Sequence, residues 1–488
     1  MVVNETGINE IVDRRLFYYP GFSIYNELGG FYDYGPIGLR IKRNIESAWR
    51  RLFVERLGSL EIESTTILPE AVLKASGHVA TFTDPIASCV KCGTAYRIDK
   101  LLEEFYEKMK DTASLNAVKK LSIEEMEDRV DENEIACEKC GGRLTKVERF
   151  NLMFRTNIGQ KGETAYLRPE TAQGVFLDFK DIFRSYGLKL PSPICQVGKA
   201  YRNEISPRQR LVRMREFTQM ETELFFDPEK DQSELNRTRM DDILDTTVRF
   251  VEAGQETVLE QSLRDLVRSG LVPNNYFAMM LHLEKRLLAH LGISDEKYRF
   301  RQLEKEELPH YSKGNVDLEI STEYGYIEVA GNAYRGDYDL SAHAKLSGSD
   351  MSVVNDGKKV VPHVIEASIG LDRMLLAMLS NAITDDQRGW PWLNLPRQVA
   401  PYAYAIFPLQ KDTKILETAF SLYQRMVDSG VQCYYSESGS IGKRYAKADE
   451  MGVMHCVTID FQSIEDGTAT IRDRNTTKQE RKPIGEIK

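Results

Sequence analysis

One charged stretch constrains the fold of this chain more than any other, the segment from Gly198 to Phe226. Alternating side chains predict strands over 200–204 and 211–226, with a Ser-Pro turn signal at 205–209 between them. Basic residues come first and carboxylates follow: Lys199, Arg202, Arg208, Arg210, Arg213 and Arg215, with Glu204 among them, then Glu216, Glu221 and Glu223. Antiparallel strands with this charge pattern suit a ligand that carries phosphates and an amine. A solvated strand face with cross-strand ion pairs explains the charge alone equally well.

Composition indicates an ordinary globular protein. The 488 residues predict two to four domains, and a hydrophobic content of 42% is enough for their cores. No apolar run approaches the length of a membrane span, and the N-terminal stretch lacks an apolar signal region. The formal charge of −9 does not exclude a nucleic-acid partner, because phosphate contacts need only local basic surface. We expect a cytoplasmic protein with no membrane partner.

Four of the seven cysteines form two C-x-x-C-G knuckles, and these are Cys89 with Cys92 and Cys137 with Cys140. Four thiolates are the ligand set that structural zinc prefers, and they leave the metal no open position for catalysis. We therefore predict a structural Zn²⁺ site in a reducing compartment. Between the knuckles, residues 97–134 combine high charge with helical apolar spacing, so we interpret 84–150 as a zinc ribbon carrying a helical excursion. The remaining cysteines are expected in the core: Cys195, Cys433 and Cys456.

The charged stretch resembles motif 2 of the class II aminoacyl-tRNA synthetases in two strings, Tyr201-Arg202-Asn203-Glu204 and Arg215-Glu216-Phe217. The resemblance implies that Arg202 holds the α-phosphate of ATP, with Glu204 as its motif partner. It also implies that Phe217 stacks on adenine and that Arg213 contacts ATP or the acceptor end of tRNA.

Two further blocks resemble the other motifs of that family. A helix predicted from Pro36 to Leu57, then a strand over 61–68 that ends at Pro69, resembles motif 1 and implies a homodimer. A helix–strand–proline pattern is common in ordinary structural units as well. Gly370-Leu371-Asp372-Arg373, after a predicted strand, resembles motif 3, which implies that Arg373 lies against the γ-phosphate of ATP.

Within the family, three sequence strings resemble the glycyl branch: Asp33-Tyr34-Gly35-Pro36, Ser76-Gly77-His78 and RPETAQG at 168–174. We place Glu170 in the first turn of the helix that begins there, where an acid is also a routine response to the helix dipole. The resemblance implies a pocket for glycine formed by Glu170, Glu221, Glu366 and Ser368. It also suggests Glu328 for Mg²⁺ or ATP and Arg335 for nucleotide or substrate, although ordinary sheet charges are nearly as good an explanation for these two.

The last segment, 391–488, alternates strands and helices, which predicts an α/β unit with a partly parallel sheet. It resembles the anticodon-binding domain shared by the glycyl, threonyl, prolyl and histidyl enzymes. Its near-balanced charge makes tRNA recognition depend on individual side chains, and Arg444 and Arg472 are our candidates.

The expected fold is therefore α+β. An antiparallel-sheet catalytic domain of the class II synthetase type would span 1–83 and 151–390, with the zinc-binding and helical insertion at 84–150 and a second helical insertion near 228–310. An α/β anticodon-binding domain would follow at 391–488. The resemblance implies ATP-dependent activation of glycine, with Mg²⁺, and its transfer to tRNA(Gly). Two alternatives stay open, another class II synthetase of the same subgroup and a non-catalytic nucleic-acid-binding relative.

Overall fold

The computed structural model describes residues 5–25, 28–205, 207, 209–230, 232–235, 238–386 and 388–487. Its helices are α1 (Glu5–Arg15), α2 (Pro36–Trp49), α3 (Glu70–Ala75), α4 (His78–Thr81), α5 (Ile98–Met109), α6 (Thr112–Ala117), α7 (Ile123–Glu132), α8 (Ala172–Ser185), α9 (Asp241–Leu244), α10 (Leu263–Arg268), α11 (Asn275–His290), α12 (Tyr338–Ser347), α13 (Leu371–Ala382), α14 (Thr413–Asp428), α15 (Ile441–Glu450) and α16 (Phe461–Asp466). None of these described helices is both long enough and apolar enough to cross a membrane.

The strands are β1 (Tyr18–Pro20), β2 (Tyr32–Tyr34), β3 (Leu60–Ile62), β4 (Ile67–Pro69), β5 (Thr83–Ser88), β6 (Ala95–Arg97), β7 (Glu148–Asn151), β8 (Arg155–Ile158), β9 (Glu163–Leu167), β10 (Ser192–Tyr201), β11 (Glu216–Phe226), β12 (Glu234–Leu235), β13 (Thr238–Arg239), β14 (Thr247–Val251), β15 (Leu259–Ser262), β16 (Tyr298–Gln302), β17 (Asn315–Thr322), β18 (Gly325–Gly336), β19 (Val353–Asn355), β20 (Lys358–Val360), β21 (His363–Gly370), β22 (Ile383–Thr384), β23 (Trp392–Leu393), β24 (Tyr404–Pro408), β25 (Cys433–Tyr435), β26 (His455–Ile459), β27 (Thr468–Asp473) and β28 (Gln479–Pro483).

A large, mostly antiparallel sheet forms the centre of the molecule, with its described strands in the order β15-β14-β16-β17-β18-β21-β11-β10-β3. The predicted antiparallel pairing is confirmed as β10 with β11, which join Tyr201 to Glu216 across the ladder, but β10 shares only residues 200 and 201 with the strand predicted over 200–204. Its strands are shorter at the loop end than alternation predicted, because Arg210–Val212 forms a 3-10 turn. Two residues of the predicted loop, Ser206 and Arg208, lie outside the described residues.

Strand β11 is buried on both faces, although its sequence alternates between polar and apolar side chains. Met220, Leu224 and Phe226 belong to the main hydrophobic core. The opposite face carries Glu221 and Glu223, and both carboxylates are buried as well. Alternation therefore marks a strand between a hydrophobic core and a polar cavity, since side chains along a strand point alternately to the two faces.

The structure corrects three sequence-based predictions of secondary structure. The segment near 228–310 is not a helical insertion: β14, β15 and β16 join the central sheet, and α11 packs into its core. The strand predicted over 61–68 is two short strands in different sheets, β3 beside β10 and β4 beside β9. Glu170 precedes α8, whose N-cap is Thr171, so it is not in the first turn of the helix. The helix predicted from Pro36 is confirmed and continues past α2 as a π-helical turn over Arg50–Arg56.

The segment 84–150, which carries the cysteine knuckles, folds around its own small core. Strand β5 pairs with both β6 and β7, so the two ends of the segment lie side by side. Helices α5 and α7 pack on this sheet through buried side chains, among them Ile98, Leu102, Met126 and Val130. The helical spacing between the knuckles therefore predicted these helices correctly.

The C-terminal segment is an α/β unit with the described sheet order β25-β24-β26-β27-β28. Strands β25, β24 and β26 are parallel and the others antiparallel, which confirms the predicted partly parallel sheet. Arg444 and Arg472, proposed above to recognise tRNA, are instead buried. Arg444 donates to the carbonyl oxygen of Pro408, and Arg472 forms two hydrogen bonds to Asp449. They stabilise this domain rather than offer a surface for tRNA.

A buried charge cluster joins the C-terminal segment to the rest of the molecule. Asp449, at the end of α15, is fully buried and accepts hydrogen bonds from Arg472 at 2.8 and 2.9 Å. The same carboxylate accepts from Arg388 and from the indole of Trp390, each at 3.2 Å. The next residue, Glu450, forms ion pairs with Arg14 and Arg15 of α1.

Candidate active site

A polar cavity of about 290 Å³ lies on the face of the central sheet formed by β11, β18 and β21. Its lining includes all but one of the candidate active-site residues, namely Glu170, Arg202, Glu204, Arg213, Phe217, Glu221, Glu328, Glu366, Ser368 and Arg373. They come from four separate stretches of sequence, and the antiparallel order β18-β21-β11 brings three of those stretches together.

At one end of the cavity, carboxylates converge. Glu221 is held by the hydroxyls of Thr171 and Ser368, the latter at 2.7 Å, and the side chain of Gln219 donates to Ser368 at 3.1 Å. Burial and the neighbouring charge of Glu170 raise the pKa of Glu221. Burial alone would also raise the pKa of Glu170, but the charges of His78 and Arg335 hold it below its usual range. This end is rigid and electronegative, which suits an ammonium group.

Arg335 is the candidate that the cavity does not expose. It is fully buried and forms ion pairs with Asp339 at 2.7 Å and with Glu366. Its guanidinium lies 3.8 Å from the ring centroid of Tyr311, which does line the cavity. Burial alone would lower the pKa of Arg335, but the surrounding carboxylates raise it well above its usual value. The side chain therefore acts as the counter-charge of the carboxylate cluster, and a direct nucleotide contact does not fit its position.

Glu223 is a member of this cluster that the sequence analysis did not assign. It is fully buried and lies opposite Glu366 in the ladder of β11 and β21, and neither of its carboxylate oxygens accepts a hydrogen bond from a residue that the structure describes. Burial, with the charges of Glu366 and Glu221, raises its pKa well above the usual value. The neutral, protonated form of Glu223 is therefore favoured, so this side chain adds less charge to the cluster than an ordinary glutamate would. The signal was present in the sequence, since Glu221 and Glu223 share one strand face.

The other end of the cavity carries the arginines. The guanidinium of Arg202 lies over the rings of Phe217 and Phe82, 5.3 Å from each centroid, and its Nε donates to the carbonyl oxygen of Pro169 at 3.2 Å. Glu204 lies 3.6 Å from Arg213. Two cation–π contacts orient the Arg202 guanidinium, and its outer N–H groups have no acceptor among the described residues, so they stay available for a phosphate.

Arg373, in the first turn of α13, joins three parts of the site. Its Nε donates to the carbonyl oxygen of Val212 at 2.8 Å, and its Nη1 donates to that of Glu328 at 2.9 Å. The Glu328 carboxylate is 3.3 Å away. The arginine of the third motif is thus held against the 3-10 turn of the second motif.

Two further carboxylates in the cavity were missed. Asp372 is buried and accepts hydrogen bonds from Lys42 and from the backbone N–H of Thr218, each at 2.5 Å, and from Tyr34. It fixes α13 to α2 and β11. Asp317 lies beside Glu328 in the cavity lining, and burial together with the charge of Glu328 raises its pKa to about 8. Asp372 adjoins Arg373 in the string Gly-Leu-Asp-Arg, so the sequence analysis quoted this residue but did not predict its structural role.

The four knuckle cysteines meet at one point outside the cavity. Their sulfur atoms all lie within 4.8 Å of one another, with Cys89 and Cys140 at 3.5 Å and Cys92 and Cys137 also at 3.5 Å. Zn–S bonds of about 2.3 Å in a tetrahedron require sulfur separations of about 3.8 Å. The donor set and its spacing therefore fit structural zinc. The other three cysteines are buried, as predicted.

Chelation of the metal is expected to release about one zinc per chain and to unfold the 84–150 segment, because four thiolates left without a cation repel one another and the segment has only a small core. Metal analysis and limited proteolysis measure both effects. Cys92→Ser should reproduce them, whereas Cys433→Ser should not. Metal-free protein with unchanged activity and protease resistance would show that the knuckles have no structural role.

Comparisons with known proteins agree with this geometry. Residues 154–382 match the family model described as tRNA synthetase class II core domain (G, H, P, S and T), and residues 404–488 match the one described as Anticodon binding domain. A solved structure titled Giardia lamblia Prolyl-tRNA synthetase in complex with prolyl-adenylate superposes with a TM-score of 0.59 at 14% identity, covering 99% of this chain and 74% of that one. At that identity the likeness concerns the fold alone.

Relatives at higher identity match along almost the whole chain. The Glycine--tRNA ligase of Pyrococcus furiosus is 38% identical, over 98% of this chain and 97% of that protein. The Glycine--tRNA ligase of Methanothermobacter thermautotrophicus is 35% identical, over 99% of this chain and 98% of that protein. The chain belongs to the glycine–tRNA ligase family of class II aminoacyl-tRNA synthetases.

Proposed function

We propose that the chain activates glycine with ATP to form glycyl-adenylate and then transfers the glycyl group to the 3′ end of tRNA(Gly). One observation supports this most, the single cavity that holds carboxylates at one end and arginines at the other. Glycine offers an ammonium group for the first end, and ATP offers phosphates for the second. The anticodon-binding domain supplies the expected contact with tRNA.

The carboxylate end would hold the ammonium through Glu170, Glu221 and Glu366. Ser368 would act through Glu221, to which it donates a hydrogen bond. Buried hydrogen bonds fix these walls, so a larger amino acid would have to push rigid groups apart. Overpacking of this kind costs about 1–3 kcal/mol. Glycine is thus selected by the exclusion of side chains.

The arginine end would bind ATP. Arg202 would hold the α-phosphate, Arg373 the γ-phosphate, and Phe217 the adenine ring, with Arg213 nearby. Glu328 and Asp317 present the hard oxygen ligands that Mg²⁺ prefers, and a bound Mg²⁺ would neutralise phosphate charge. The glycine carboxylate itself attacks the α-phosphorus, so no protein nucleophile is needed. The protein contributes orientation and stabilises charge in the transition state.

The test is pyrophosphate exchange into ATP by the purified protein without tRNA, with glycine, alanine and serine compared. Exchange with glycine alone would support both the activation chemistry and the pocket. Exchange with another amino acid would favour a different class II synthetase of this subgroup. Well-folded protein with no exchange at all would favour the non-catalytic alternative.

Glycine binding is expected to weaken on acidification at a higher pH than ordinary carboxylates would produce. The ammonium needs Glu221 ionised, and the pKa of Glu221 is raised above the usual value of about 4.3. Burial raises the pKa of Glu366 to about 8. As the pH falls, protons therefore compete with glycine at both Glu366 and Glu221, and the KM for glycine rises while the KM for ATP changes less.

Conversely, bound ammonium lowers the pKa of Glu221 and releases a proton. Calorimetric titration of glycine in two buffers of different ionisation enthalpy measures that release. A KM for glycine that stays constant from about pH 8 to pH 5, with no proton released, would contradict the raised pKa.

We also propose a cytoplasmic homodimer. Several large apolar side chains are exposed on one short stretch before α2, and these are Leu16, Phe22, Ile24, Tyr25 and Leu28. Contiguous exposed apolar surface is typical of an interface with another chain. Light scattering should give twice the mass of one chain. The free cysteines and the fit of the knuckles to zinc favour a reducing compartment.

A further inference from the structure

The Ser76-Gly77-His78 string has no part in the cavity wall, yet it touches a residue that does. His78 is buried, and its Nε2 lies 3.4 Å from a carboxylate oxygen of Glu170. Its Nδ1 lies 2.8 Å from the hydroxyl of Ser76. Because a carboxylate only accepts hydrogen bonds, Nε2 carries the proton that faces Glu170, and Nδ1 forms the hydrogen bond with the hydroxyl of Ser76. Gln173 donates to the other oxygen of Glu170 at 2.8 Å. The carboxylate is thus held from both sides.

Gly77 fixes the position of this histidine. Its φ of +84° lies in the left-handed region, and a Cβ added there would stand 2.8 Å from the Nε2 atom of His310. That ring nitrogen is itself 3.1 Å from the carbonyl oxygen of Ser76. A side chain at position 77 would be strained and would displace His310. The glycine therefore allows the turn that places His78 under the pocket.

Phe82, one turn beyond His78, contacts Arg202 at the other end of the cavity. The two rings meet edge to face, with centroids 5.7 Å apart. The face of Phe82 lies under the guanidinium of Arg202, which also contacts the ring of Phe217. The carbonyl oxygen of Phe82 accepts from the N–H of Leu152, and that of Leu152 accepts from the N–H of Asn203. Phe82 is therefore fixed on both its backbone and its ring.

We propose that His78 and Phe82 are positioning residues for the two substrates, His78 acting through Glu170 on the ammonium of glycine and Phe82 acting through Arg202 on a phosphate of ATP. The assignment rests on the proposed function of the cavity. Neither side chain lines that cavity, so neither touches a substrate directly. Their edge-to-face contact couples the two substrate positions to each other, in a short segment that leads directly into the zinc-binding module.

Paired substitutions test the two halves separately, with KM and kcat for exchange measured for each substrate. His78→Asn keeps a polar group near Ser76 but withdraws the donor from Glu170, and should raise the KM for glycine about tenfold or more while the KM for ATP stays within about twofold. His78→Gln, whose amide nitrogen can reach the Nε2 position, should restore most of the loss. Phe82→Leu should raise the KM for ATP about threefold to thirtyfold and leave the KM for glycine unchanged, and Phe82→Tyr should behave as wild type.

His282→Asn serves as the control, because His282 is a half-buried histidine bonded to Thr246 away from the cavity. The proposal is supported if substitution at position 78 raises only the KM for glycine and substitution at position 82 raises only the KM for ATP. A purely structural role would shift both KM values together in each variant. Parallel changes, or no change at either position, would overturn it.

Should His78→Asn fail to fold, Ser76→Ala decides, because it releases the His78 ring without altering its size. It should raise the KM for glycine about threefold or more, and an unchanged value would overturn the histidine half. Wild-type protein that exchanges with another amino acid would refute the proposed function but not this pattern, which would then be measured with that amino acid.

Discussion

Arg373→Ala is expected to lower glycine-dependent pyrophosphate exchange by about a thousandfold or more. The guanidinium lies at the arginine end of the cavity, where charge develops on the phosphates during adenylate formation. Its removal also breaks the hydrogen bonds to the carbonyl oxygens of Val212 and Glu328, so the motif 2 turn loses an anchor. Arg373→Lys keeps the charge but not the planar fork, and should recover only a small part of the rate.

The control for this prediction is Arg184→Ala, which removes an exposed arginine paired with Asp181 on the surface of α8. It should leave exchange unchanged. Light scattering and thermal unfolding should show that Arg373→Ala keeps its assembly state and fold. Near-normal exchange by Arg373→Ala would remove this residue from the active site, and with it the assignment of motif 3.

Arg335→Met is expected to destabilise the catalytic core by about 3–5 kcal/mol and to abolish glycine-dependent exchange. The variant leaves Glu170, Asp339 and Glu366 buried together without the cation that now pairs with them. Some of these carboxyls must then take up protons, so the pocket loses the charge that binds ammonium. Thermal unfolding and the KM for glycine measure the two effects.

Arg264→Met makes the same substitution where the paired carboxylates, Asp241 and Asp245, are exposed on the surface. Surface pairs contribute about 0–1 kcal/mol, so this variant should be nearly as stable as wild type. Arg335→Lys keeps a cation and should fold even if Arg335→Met does not, with a raised KM for glycine. An unchanged unfolding temperature and an unchanged KM for glycine in both Arg335 variants would show that the cluster does not depend on this charge.

Motifs and periodicity were enough to predict the elements that build the cavity. Alternation located β11 and the end of β10, and the charge pattern predicted arginines and carboxylates in one site. The paired knuckles predicted a cluster of four sulfur atoms, which the structure shows. These features succeed because each depends on short-range spacing, which the sequence states directly.

Sequence patterns could not predict which of the candidate arginines are exposed to solvent and which are buried. Arg335, Arg444 and Arg472 were chosen as contacts for nucleotide or tRNA, and all three are buried in hydrogen bonds to carboxylates or carbonyl oxygens. The segment near 228–310 was misread for a related reason. Its short strands form because they pair with other strands of the sheet, as β16 does with β17. Local charge and apolar spacing do not reveal such pairing, so they could not predict these strands.

The buried carboxylate of Asp449 has a consequence for motion. It accepts hydrogen bonds from Arg472 within the C-terminal domain and from Arg388 and Trp390 on the linker side. Rotation at this joint would pull buried charges apart, at a cost of about 3–5 kcal/mol for a broken pair. The connection is therefore rigid, and the C-terminal domain moves with the catalytic core instead of rotating freely on a flexible linker. A tRNA that displaces the far side of the C-terminal domain would therefore tilt the whole domain and transmit that displacement to the catalytic core.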